Sequence, residues 1–136
     1  MSILSKEFNL YGGNTMNKRQ ITSLFKKVVA AIGTEKDIDK IEEILSSLNL
    51  KVDSFVCNNE THLSCPLGEY NGTLSKKELV KNDSYFRSLN DIIKKDCYLE
   101  VYKEEEQIRL YTSINVEYNV SYGTESQTLY INEINL

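Results

Sequence analysis

The chain has 136 residues, 40% of them apolar and 26% charged, and a formal net charge of −4. That length can bury a core without disulfides or metal, and no apolar run is long enough to span a bilayer. The acidic balance argues against a general nucleic-acid binder, which carries a basic footprint, and would suit a basic partner.

The start of the chain, Met1-Ser2-Ile3-Leu4-Ser5-Lys6-Glu7-Phe8, is interrupted by polar and charged residues and does not read as a signal peptide. The expectation is therefore a cytoplasmic protein whose three cysteines are free thiols. Four matches to the glycosylation sequon, at Asn59, Asn71, Asn82 and Asn119, are then chance occurrences in an Asn-rich chain. The whole chain reads as one α+β domain, with residues 1–16 as a loose arm or, through Phe8, Leu10 and Tyr11, a short strand before Gly12-Gly13-Asn14.

Ile21, Leu24, Phe25, Val28 and Ile32 recur at helical spacing, which predicts a helix over 18–32 closed by Gly33. A second helix over 35–48 carries the stripe Ile38, Ile41, Leu45 and Leu48, with Thr34 or Asp37 as cap. The short connection makes the two a helical hairpin or a sharp corner. Residues 50–56 read as a strand packed through Val52, Phe55 and Val56. Residues 58–72 hold the only proline and the only histidine and read as loop.

Ser75-Lys76-Lys77-Glu78 is a capping box, and Leu74 and Leu79 stand where a hydrophobic staple would close over it. Asn82-Asp83-Ser84 can break that helix and cap another, with Phe86, Leu89, Ile92 and Ile93 on its apolar face and Lys94 and Lys95 at its C-terminal end.

From residue 97 the chain alternates with period two, the signature of strands with one apolar and one polar face. Cys97, Leu99 and Val101 oppose Tyr98, Glu100 and Tyr102. Ile108, Leu110, Thr112 and Ile114 oppose Arg109 and Tyr111. Val116, Tyr118, Val120 and Tyr122 oppose Glu117, and Leu129 and Ile131 oppose Tyr130 and Asn132. Turns near 104–106, 113–115 and 123–126 give four antiparallel strands. The expected fold is an N-terminal helical hairpin and a further helical segment packed on one face of a C-terminal four-stranded antiparallel meander.

Few residue clusters carry chemistry. Cys57, His62 and Cys65, with Cys97 as a conceivable fourth ligand, lack the Cys-x-x-Cys pairing of a zinc site and read as a structured loop. A Cys–His nucleophile pair in that loop has no identifiable orienting group. Asp37, Asp39, Glu42 and Glu43 sit among lysines as a solvated helix face, and Glu104-Glu105-Glu106 caps a hairpin. Basic residues gather at Lys18, Arg19, Lys26 and Lys27 and again at Lys76, Lys77, Lys81 and Arg87, but the second helix is acidic where a recognition helix is basic. No nucleotide-binding, zinc-protease or nucleophile-elbow motif is present. The expectation is no catalytic residue, no metal and no cofactor.

If helices cover the apolar face of the meander, Tyr98, Tyr102, Tyr111 and Tyr130 face outward with Glu100, Arg109 and Glu117. Tyrosine and arginine are what protein interfaces favour, although outward tyrosine pairs also stabilise a sheet unaided. The sequence thus points by elimination to a small module that binds another protein. An inhibitor or immunity-type protein acting by occlusion fits first, and a secretion chaperone or adaptor next. An enzyme using the His62 loop and a nucleic-acid binder are the remaining alternatives.

Overall fold

The computed structural model describes residues 15–136, so the reading of a strand through Phe8, Leu10 and Tyr11 lies outside the described residues. The last two residues of the expected arm form a strand, β1 (Thr15–Met16), and Met16 is buried. Helix α1 (Lys18–Ile32) starts at Asn17, whose Oδ1 accepts from the Gln20 amide at 2.9 Å while Gln20 Oε1 accepts from the Asn17 amide. The helix buries the expected stripe and ends at Gly33, whose φ of 56° supplies the left-handed residue that closes it.

Helix α2 (Ile38–Ser47) is shorter than the expected 35–48 because Asp37, not Thr34, caps it, accepting from the Asp39 amide at 3.0 Å.

The loop expected over 58–72 is corrected by the structure. Strand β2 (Asp53–Cys57) turns through Asn58 and Asn59 into β3 (Glu60–Tyr70). Both asparagines have positive φ, 54° and 64°, the geometry of a tight two-residue hairpin turn. Pro66 and Gly68, which argue against a strand, sit at a register shift against the next strand, and Gly68 adopts φ 101° there.

Helix α3 (Lys76–Asn82) begins as expected, with Ser75 Oγ accepting from the Glu78 amide at 3.4 Å and Leu74 and Leu79 both buried. No further helix follows it. Asp83 Oδ1 accepts from the Tyr85 amide, one 3-10 turn spans Leu89–Asp91, and β4 (Ile92–Glu104) begins at once. Ile92, Ile93, Lys94 and Lys95 are therefore strand residues, and the two lysines complement no helix end.

The C-terminal meander has three long strands, not four. β5 (Gln107–Val120) runs straight through the turn expected at 113–115, and β6 (Gly123–Asn135) follows a turn at Ser121 and Tyr122. Tyr122, expected in the core, is consequently 63% exposed, whereas Tyr118 is buried. Among the described residues the sheet has six strands in the order β1-β3-β4-β5-β6, with β2 also paired to β3. β1 runs parallel to β3 and every other pairing is antiparallel, so the sheet is mixed. The α+β class holds.

One face of this sheet meets the helices. Leu63, Cys65 and Leu67 of β3, Cys97, Leu99 and Val101 of β4, and Ile108, Leu110, Ile114, Val116 and Tyr118 of β5 are buried in one core with the α1 stripe. Thr112, also buried, donates to Asn132 Oδ1 at 2.7 Å, and Thr22 of α1 meets the same oxygen at 3.5 Å. Asn132 reaches this face because β6 shifts register there: Thr112 pairs with Asn132 and Ser113 with Tyr130, leaving Ile131 as an extra residue. Among the described residues no helix is long and apolar enough to cross a membrane.

Candidate binding face

Residues that pair across an antiparallel ladder share a face, so the register fixes what stands opposite the helices. One row crosses five strands as Phe55, His62, Tyr102, Arg109 and Asn135, and the next as Asp53, Ser64, Glu100, Tyr111 and Glu133. A third reads Pro66, Tyr98, Ser113 and Tyr130. Glu117 lies further along β5, opposite Lys94. All seven residues read as outward-facing, Tyr98, Glu100, Tyr102, Arg109, Tyr111, Glu117 and Tyr130, thus stand on the face away from the core.

The rings on this face touch in series. Phe55 stacks on His62 at 5.3 Å between centroids, and His62 stacks on Tyr102 at 4.7 Å. Tyr102 meets Tyr111 edge-on at 6.3 Å, and Tyr111 meets Tyr130 at 5.4 Å with ring planes 68° apart. Stacked and edge-to-face arrangements are those that the aromatic quadrupole favours. The series runs from one edge of the sheet to the other. Phe55 is 45% and Tyr130 58% exposed, and the rings between them are half-buried. Tyr98 and Glu117 stand outside this chain of rings.

Phe55 and His62 are the members that sequence reasoning missed. Their signal was present: Leu63, Cys65 and Leu67 alternate with His62, Ser64 and Pro66 after a two-residue Asn-Asn turn. The same placement separates the residues of 57–65 between the two faces of the sheet. His62 and Cys57 lie on the outer face, whereas Cys65 and Cys97 are buried on the inner one, where burial pushes each thiol up to about 12. Among the described residues no three His, Cys, Asp or Glu side chains converge as a metal site.

Charge on the face is arranged around the rings. Glu100 and Glu133 flank Tyr111 in register, and burial together with the Glu100 carboxylate holds the Tyr111 phenol far above its ordinary value. Arg109 binds Glu104 at 3.0 Å and stands 6.0 Å over the Tyr102 ring. Glu60 Oε1 lies 3.9 Å from His62 Nε2. A cleft of about 280 Å³ opens between Tyr102, Tyr111 and Tyr130, with Arg109, Glu133 and Asn135 on its walls.

Comparison with protein-family models, curated proteins and solved structures finds no match for this chain.

Proposed function

We propose that this protein is a protein-binding module of the inhibitor or immunity type, which neutralises a protein partner by covering it with the face of the sheet opposite its helices. The observation that carries this reading is the unbroken series of five rings, Phe55, His62, Tyr102, Tyr111 and Tyr130, on the face opposite the core. An antiparallel sheet with one solvated face ordinarily carries polar residues there. Aromatic rings held by their neighbours on rigid strands lose little freedom on docking and bury a large area, which makes them the usual energetic centre of an interface. The small, acidic chain supports inhibition by occlusion, since such a mode needs a surface and no catalytic group.

The test is affinity capture from the native cell with the full chain, followed by quantitative binding to the protein retained. Tyr111→Ala and Tyr130→Ala should each weaken that complex by about 2 kcal/mol or more, roughly thirtyfold, with the thermal transition still cooperative. A partner held equally well by the wild type and both variants overturns the reading. His62→Ala belongs among the weakening variants, because His62 is part of the ring series and not of a separate loop.

A further inference from the structure

We infer that the face is selective for a cationic segment of its protein partner, an extended stretch bearing arginine or lysine, with one of those side chains seated in the cleft beside Tyr111 and Tyr130. This rests on the binding-face reading above and adds the chemistry of what is bound.

The first ground is charge. Beside the rings the face carries Asp53, Glu100 and Glu133 in a single register row that spans the sheet from β2 to β6. Glu69 pairs with Asp96 further along, and Glu117 follows. Among the described residues, the lysine and arginine side chains on this face are Arg109 and Lys94, and each already has an anion, Glu104 at 3.0 Å and Asp96 at 3.2 Å. Asp53, Glu69, Glu100, Glu117 and Glu133 are left without an ion pair among the described residues. Such a field attracts a cationic segment and repels phosphate, so it speaks against nucleic acid even though stacked rings alone would accept bases.

The second ground is the rings themselves. A guanidinium or ammonium is attracted to the face of an aromatic ring within about 6 Å, and Arg109 already stands 6.0 Å over Tyr102. Tyr102, Tyr111 and Tyr130 meet at interplanar angles of 78° and 68°, so their faces point in different directions around the cleft. With Glu133 on its wall, and the Arg109 charge there met by Glu104 at 3.0 Å, the cleft offers π faces and a carboxylate, the composition that recognises a cation.

The test uses the full chain and a fluorescein-labelled octa-arginine peptide, read by anisotropy, with a Gly/Ser octapeptide and an oligodeoxythymidine as the other probes. Octa-arginine should bind, and more weakly as salt rises from about 0.05 to 0.3 M. Glu100→Gln with Glu133→Gln should weaken it about tenfold, as loss of facing charges does. Glu42→Gln with Glu43→Gln, the same charge change on α2, should shift it less than about twofold because exposed charges far from the site are screened. Tyr111→Leu should weaken binding, and Tyr111→Phe, which keeps the ring, should not.

Equal weakening by the two double variants overturns the inference, because attraction would then be diffuse. So does octa-arginine binding no tighter than the Gly/Ser peptide, or the oligonucleotide binding tighter than octa-arginine. Failure of the octa-arginine arm while a natural partner still requires Tyr111 removes the cationic segment and leaves the binding face. Octa-arginine binding through Glu100 and Glu133, with natural complexes indifferent to Tyr111→Ala, removes occlusion by this face and leaves the cation site.

Discussion

On β4, Cys97, Leu99 and Val101 are fully buried against the helices, while Tyr98, Glu100 and Tyr102 between them are half-exposed on the other side. The same division holds on β5, where Leu110 and Ile114 are buried and Arg109 and Tyr111 are not. The two faces come from the same strands with the same backbone hydrogen bonds, so sheet formation treats them alike. They differ in what completes them. The inner face is closed by α1, whose Ile21, Leu24, Phe25 and Val28 fill the core. Among the described residues, the outer face is completed by its own side chains, through ring contacts and a few ion pairs. One face is used by folding, and the other is ordered by folding and left with unused ring surface and carboxylates.

The largest effect that separates the faces is stability. Leu99→Ala opens a cavity in the closed core and should cost about 2–5 kcal/mol. Tyr111→Ala, which loses cross-strand ring contacts on a half-exposed face, should cost about 1 kcal/mol. Denaturant unfolding of both variants measures the difference. Equal losses would mean that the outer rings form a second core, and the division between a folding face and a binding face would collapse.

A smaller effect lies where the inner face meets the end of α3. The Tyr118 hydroxyl donates to Asp83 Oδ2 and accepts from Gln127 Nε2 at 3.0 Å, while Phe86 packs edge-on against the Tyr118 ring at 5.0 Å. The Tyr118 hydroxyl and the Tyr85 amide hold the Asp83 carboxyl below its ordinary value, so its contribution is present above the ordinary carboxylate range and lost as pH falls through the lowered value. Burial, then the hydrogen bond to Asp83, pushes the Tyr118 phenol from 10.0 up to about 12. That contribution is present below 10.0 and lost as pH rises toward about 12. The stability difference between the wild type and Tyr118→Phe should therefore be widest at neutral pH and narrow at both extremes. A gap that stays constant with pH would show that the hydroxyl contributes nothing beyond packing.

How far these faces were legible follows from the range of the interactions that make them. The stripe of α1 and the parity of β4 are local patterns, and both stand as read. The merger of two expected strands into β5 is also written locally: buried even residues continue from Ile108 to Tyr118 without a change of parity, which a tight two-residue turn at 113–115 would interrupt. β3 was hidden by Pro66 and Gly68, residues that a register shift accommodates only once a partner strand is in place. The ring series was only half legible, because His62 meets Tyr102 across a pairing of β3 with β4 that no short-range pattern announces. The shift at Ile131, which turns Asn132 toward Thr22, was likewise invisible, since it depends on a helix more than a hundred residues away in sequence.

The smallest effect tests the electrostatics of the outer face directly. The Tyr111 phenol resists ionisation first because it is partly buried and next because Glu100, opposite it in register, disfavours a second negative charge. Burial would survive Glu100→Gln, but the repulsion would not. In a titration of ring-labelled tyrosine by NMR, Tyr111 should ionise at lower pH in Glu100→Gln than in the wild type, yet still above an ordinary tyrosine. Glu43→Gln should leave it where it was. A Tyr111 titration unmoved by Glu100→Gln would leave its resistance to burial and the neighbouring Tyr130 and Tyr102 phenols. It would also separate Glu100 from the ring beside it, and with that the pairing of carboxylate and aromatic face on which recognition of a cation depends.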